Sequence, residues 1–199
     1  MSADTYTTIA SEASAVYREK MSRFLAFAHP VASASEVKEK VAEYRKKYYD
    51  ARHVCWAYVL GADRKTFQSN DDGEPSGTAG RPILGQINSA ELSNVLVVVV
   101  RYFGGIKLGT SGLISAYKEA TRMVLDEAEK VERHEETLIS FVFPYLSMNS
   151  VMKLVKNSGA RIKSQDFNNS CVMEIIIRSD NAEALRRGLS DIDGVSVHE

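Results

Sequence analysis

Three carboxylates fall within four residues at Asp71, Asp72 and Glu74, and Arg81, Arg101 and Lys107 follow in the same glycine-rich stretch. Eight of the chain's twelve glycines lie between Asp63 and Gly112. Clustered glycine marks backbone that needs positive φ or close approach to something. Carboxylates, cations and loop amides in one place suit three chemistries: holding a divalent cation, cradling phosphate, or acid–base work. Spacing tests each of them.

A phosphate loop needs Lys directly after its last glycine, so that the ammonium reaches the β/γ-phosphates. Gly104 and Gly109 have the separation, but Thr110 follows Gly109 and Lys107 sits inside the loop, which rules out that mode of nucleotide hydrolysis. An EF-hand aligned on Gly73 would need ligands at Gln68 and Ala79, and fails. His53 and Cys55 share one face of a strand, yet no third group orients them as a nucleophile pair. His29, His134 and His198 have no zinc spacing.

What survives is an anion site. A glycine-rich turn feeding a helix presents oriented N–H groups and a partial positive charge. The predicted anion- or nucleic-acid-binding set is Arg81, Arg101, Lys107, Gly104, Gly105, Gly109, Thr110 and Lys118. The acidic loop of Asp71, Asp72 and Glu74 orients those cations by ion pairing; Mg²⁺ is the one ion it suits, and no other cofactor or metal is called for. Lys118 and Arg122 extend the basic groove, or Arg122 simply pairs with Glu119 and Asp126. Trp56, Tyr58, Tyr102, Phe103 and Tyr117 offer stacking faces, although most aromatics on strands are core.

These residues must be placed by the elements around them. Strands are predicted at Tyr6–Ile9, from Ser22 towards Pro30, at His53–Leu60 and at Thr66–Ser69. Val37, Val41, Tyr44 and Tyr48 share one face of a helix capped by Ser33 or Ser35 and running to about Tyr49. A short helix spans Arg81–Asn88, and Val95–Arg101 reads as a strand buried on both faces. A long helix covers Gly112–Lys130, with Thr110 or Ser111 as cap and Leu113, Ile114, Tyr117, Ala120, Thr121, Val124, Leu125 and Ala128 inward. Beyond charges clustered at Glu132–Glu136 come a strand Thr137–Tyr145, a helix Ser147–Asn157 stopped by Gly159, and a strand Ala160–Phe167 turning at Asn168-Asn169. The strand Cys171–Arg178, the helix Asn181–Leu189 and the strand Val195–His198 complete a βαββαβ, ferredoxin-like order. The expected class is thus α+β, in two domains, 1–132 and 133–199.

Bulk properties exclude other classes. A net charge of −1 argues against binding polyanions by overall charge. No apolar run in the chain is long enough to span a bilayer. Two distant cysteines, no CxxC and no secretory signal pattern predict a reduced, cytoplasmic protein.

Arg52-His53 with Cys55 and Tyr58, DDGEPSGTAGRPIL at Asp71–Leu84 and VVVVRYFGGIKLGTSGLISAY at Val97–Tyr117 together resemble the Impact family, whose bacterial members are YigZ-type proteins. The resemblance implies a ribosomal-protein-S5 domain-2-like α/β domain, followed by a ferredoxin-like domain similar to one in elongation factor G. Both recur in translation proteins, and eukaryotic Impact proteins restrain, through its activator, the starvation kinase that phosphorylates an initiation factor. The implied function is regulation of translation by a non-enzymatic protein in contact with RNA, the ribosome or translation factors. An enzyme acting on a small phosphorylated or acyl substrate, with Asp72 or Glu74 as acid or base, is the alternative; a protein-binding module using the ferredoxin-like sheet is the third.

Overall fold

The computed structural model describes residues 4–167 and 171–198. They divide into two compact units: Tyr6–Arg133, and His134 onward together with Asp4 and Thr5.

The first unit is built on five antiparallel strands in the order β2-β3-β6-β4-β5. These are β2 (Ala13–Glu19), β3 (Ser22–Pro30), β4 (His53–Leu60), β5 (Thr66–Asn70) and β6 (Val95–Tyr102). Helices α2 (Gly80–Ser89) and α3 (Gly109–Glu127) pack on one face, and α1 (Ala34–Lys47) on the other. This explains the uninterrupted apolar run of β6. Val95, Val97 and Val99 enter the α2/α3 core while Leu96, Val98 and Val100 enter the α1 core, and all are fully buried. Ser33 caps α1, its side chain accepting from the Glu36 amide, and Val37, Val41 and Tyr44 are the buried stripe.

Three expectations change. Strand β2 has no counterpart in the predicted elements, because its inward residues Ala13, Ala15 and Tyr17 alternate with an exposed Val16, which spoils the apolar–polar pattern. The charged segment before the second unit is also a strand, β7 (Lys130–His134), held by backbone pairing to β1 (Thr5–Ile9) rather than by an apolar face. Helix α3 begins at Gly109, so Thr110 and Ser111 lie within its first turn and cap nothing, and Ile114 points outward at 42% exposure.

The second unit orders its strands β11-β8-β10-β9: β8 (Glu136–Phe143), β9 (Arg161–Asp166), β10 (Cys171–Arg178) and β11 (Ser196–His198). Helices α4 (Met148–Ser158) and α5 (Ser179–Ser190) cover one face through Val151, Leu185 and Leu189, against Ile139, Phe141, Met173 and Ile175. Connection and strand order are those of a ferredoxin-like fold. Gly159 ends α4 in the left-handed conformation at φ 74°, which suits glycine. Buried Asp4 accepts two hydrogen bonds from Arg178, at 2.9 and 3.2 Å, tying the N-terminal residues into this unit. The predicted Asn168-Asn169 turn lies outside the described residues. Among the described residues no helix is long and apolar enough to cross a membrane.

Candidate functional site

Strand register places Arg101 of β6 directly between Phe24 of β3 and His53 of β4. One step along, Val99 lies opposite Cys55. The loop from β5 to α2 folds over this row, and each of its carboxylates turns inward.

Asp71 caps α2 from a distance. Its Oδ1 accepts from the amides of Gly80 (2.8 Å) and Ala79 (3.0 Å), and its Oδ2 from Gly77 (2.8 Å). Burial alone would raise the Asp71 pKa, but these three amides and the nearby Arg81 charge outweigh it and hold the carboxyl below its ordinary value. A folded-state pKa below the unfolded one contributes stability above the ordinary carboxylate range and loses it as pH falls through the folded value. Asp71→Asn therefore lowers stability by about 1–2 kcal/mol at neutral pH. The gap to wild type narrows below about pH 4, as urea melts across the pH range will show.

Asp72 sits at a φ of 42° and ties the loop to β4 and α1. Its Oδ2 accepts from the Val54 amide at 2.7 Å, its Oδ1 from Arg45 Nη2 at 2.5 Å, and its carbonyl from His53 Nδ1 at 2.8 Å. Glu74 goes deepest. It is buried, and its Oε1 accepts from Arg101 Nη1 at 2.7 Å and from the Tyr117 hydroxyl at 2.9 Å. His53 Nε2 stands 3.8 Å from Glu74 Oε2. The guanidinium of Arg101 is flanked by the rings of Phe24 and Phe103, at 5.5 and 5.7 Å.

Cys55 completes the cluster. Its thiol is within hydrogen-bond reach of the Asp71 carbonyl (3.0 Å) and the Tyr117 hydroxyl (3.3 Å). Burial pushes the thiol pKa strongly up, outweighing the Tyr117 hydrogen bond, and the charges of Glu74, Asp72 and Asp71 add to the rise. Burial, with Cys55 and Glu74 beside it, raises the Tyr117 hydroxyl as well. A thiol kept protonated is a poor nucleophile.

The predicted site residues therefore separate into two groups. Asp71, Asp72, Glu74 and Arg101 form an internal network, in which Arg101 is 6% exposed and already paired. The Gly104 amide donates to Ser22 Oγ at 3.2 Å. Outside stand Arg81, Lys107, Thr110 and Lys118, all exposed, with Gly105 in the turn ahead of α3 and Gly109 at its first position. Among the described residues Lys107 and Lys118 make no ion pair, whereas Arg122 is held by Glu119 at 2.6 Å and Asp126 at 2.5 Å. The two helix starts differ: Asp71 fills that of α2, while among the described residues no side chain caps the first turn of α3. Among the described residues no group of three His, Cys, Asp or Glu side chains is placed to hold a metal ion.

Arg45 and Tyr117 are missing from the predicted network. Arg45 lies off the apolar stripe of α1, and nothing local reveals Asp72 beside it. Tyr117 carried a usable signal, since a tyrosine on a buried stripe must find a partner for its hydroxyl.

Fold and site together define a two-unit α+β protein whose signature loops close over an internal Glu–Arg–Tyr network and leave a cationic helix start facing solvent. The Impact N-terminal domain model matches residues 20–125. An IMPACT family member of Haemophilus influenzae is 33% identical over 174 residues, covering 86% of this chain and 84% of its own. The Bacillus subtilis IMPACT family member YvyE is 31% identical, covering 86% and 79%. A crystal structure described as a hypothetical protein superposes with a TM-score of 0.76 at 27% identity, over 98% of this chain and 96% of its own. The chain belongs to the Impact family. Its N-terminal unit is the Impact N-terminal, S5 domain-2-like fold, and its C-terminal unit is ferredoxin-like.

Proposed function

We propose that this Impact-family chain is a non-enzymatic, cytoplasmic regulator of translation that contacts RNA, free or on the ribosome, through the face at the start of α3. The contrast between the two helix starts carries this reading. Asp71 already occupies the first, whereas the second offers oriented amides and the Thr110 hydroxyl with Lys107 beside it and Lys118 further along. Such a surface suits phosphate oxygens, which accept from amides, hydroxyls and ammonium groups alike. The translation assignment follows the family, whose eukaryotic members restrain the starvation kinase.

The competing enzyme reading would use Asp72 or Glu74 as acid or base, and both accept from protein donors at short range. It draws no support from the network around them.

Lys107→Glu/Lys118→Glu is the test, since both side chains are exposed and neither holds the fold together. Filter binding of pooled RNA and cosedimentation with ribosomes should fall about tenfold or more at moderate salt, and the slope of log affinity against log salt should flatten by roughly 1.5. Wild-type retention by the double variant would overturn the α3 face as the RNA contact, and no retention of RNA by the wild type would overturn the RNA reading itself.

A further inference from the structure

The Tyr6–Arg133 unit also has a concave surface on the α1 face of its sheet. Helix α1 does not cover the whole of its sheet face, and a groove of about 290 Å³ runs between it and the edge pair β4–β5. The floor holds Trp56 and Tyr58, whose rings lie 6.0 Å apart and within 13° of parallel. Gln68 of β5 is the direct cross-strand partner of Tyr58 and accepts from its hydroxyl at 3.4 Å. The wall is one stripe of α1, with Lys38, Ala42 and Arg45 among its residues.

The charge of this groove is one-sided. It is lined by two cations and, among the described residues, by no carboxylate. Lys38 makes no ion pair among the described residues, and the Arg45 side chain stays 49% exposed although Asp72 binds one of its nitrogens.

We propose that this groove takes one base of a single-stranded RNA, stacked on Trp56, with the adjoining phosphates at Lys38 and Arg45. This rests on the RNA reading above but concerns a different surface. Base–aromatic stacking beside a cationic track is the usual way of holding single strands. The half-buried indole provides the flat face, and the rings next to it are already parallel. The Gln68 amide carries both a donor and an acceptor at the edge of the floor, where the rim of a base would lie. A phosphate at Arg45 would share that guanidinium with Asp72, linking the groove to the signature loop.

Trp56 is the chain's single tryptophan, so its emission reports on the groove directly. The full chain is titrated with a single-stranded ten-nucleotide RNA of mixed sequence and, separately, with an acidic peptide of similar charge. Saturable quenching by RNA is expected, weakened about tenfold by Lys38→Glu and by Ala42→Glu. Both substitutions fall on exposed helix positions, and circular dichroism will confirm that the fold is kept. RNA binding with unchanged Trp56 emission and no effect of Ala42→Glu overturns the groove and leaves the α3 face standing. Undiminished quenching in Lys107→Glu/Lys118→Glu supports the groove and overturns the α3 reading instead. Quenching by the peptide but not the RNA overturns the nucleic-acid assignment in favour of a protein partner.

Discussion

Glu74→Ala is expected to cost the Tyr6–Arg133 unit about 3–5 kcal/mol, because it strands a buried guanidinium. Arg101 is 6% exposed and Glu74 8%, so water cannot replace the lost carboxylate without opening the loop. The same change removes the acceptor of the fully buried Tyr117 hydroxyl and leaves it only the weak Cys55 thiol. The side chain also secures the loop over His53 and Cys55, and losing it should unpin Asp71 and Asp72 in turn. Urea unfolding followed by Trp56 fluorescence measures this, since the single tryptophan lies in the same unit. The double variant Glu74→Leu/Arg101→Met separates charge from packing. Removing both charges together should recover much of the loss, because a buried ion pair is worth little against well-packed apolar residues. If Glu74→Ala shifts the midpoint no more than an exposed Glu→Ala change does, the network is not what holds the loop.

Gly104→Ala is the second large effect, and its cause is steric. A Cβ at this position would lie 2.1 Å from the Met21 carbonyl carbon, 2.3 Å from its oxygen and 2.4 Å from the Ser22 nitrogen. All three are backbone atoms where the two-residue turn from β2 enters β3, and its Lys20 and Met21 already sit at φ values of 42° and 72°. That turn has no slack, so the β6–α3 loop must move away. A loss of about 2–3 kcal/mol is expected, together with weaker RNA retention as Lys107 and the start of α3 shift. Gly85→Ala is the control. It lies inside α2 with nothing within 4 Å of the added methyl, and it should stabilise by up to about 1 kcal/mol. Opposite signs for the two substitutions are the expected result; a neutral Gly104→Ala would refute the close approach.

Local signals in the chain carry a good part of the fold. The spacing of Val37, Val41 and Tyr44 defines α1, with Ser33 or Ser35 as its cap, and the structure gives the role to Ser33. The apolar run of β6 announces burial on two faces, and the βαββαβ order of the tail announces the ferredoxin-like unit. Strand β2 and the exact start of α3 are not legible in this way. The first is an edge strand in which two of the inward residues are alanine and an apolar residue, Val16, faces out. The second is set by how the loop from Phe103 packs against the β2–β3 turn.

The site divides along the same line. Residue types and spacing alone exclude a phosphate loop and an EF-hand, because those chemistries need particular groups at fixed offsets. They also supply the family, through the long motifs at Asp71–Leu84 and Val97–Tyr117. Which charges face inward is decided only by tertiary structure. Arg101 and Lys107 look equivalent in the chain, yet the register of β3, β6 and β4 sets Arg101 between Phe24 and His53, where Glu74 neutralises it. Lys107 lies beyond the end of β6 and stays in solvent. The pairing of residues 24, 53, 74, 101 and 117 depends on contacts across up to ninety-three positions of sequence. A chain's local periodicity cannot encode such contacts, because they exist only once the sheet has chosen its order.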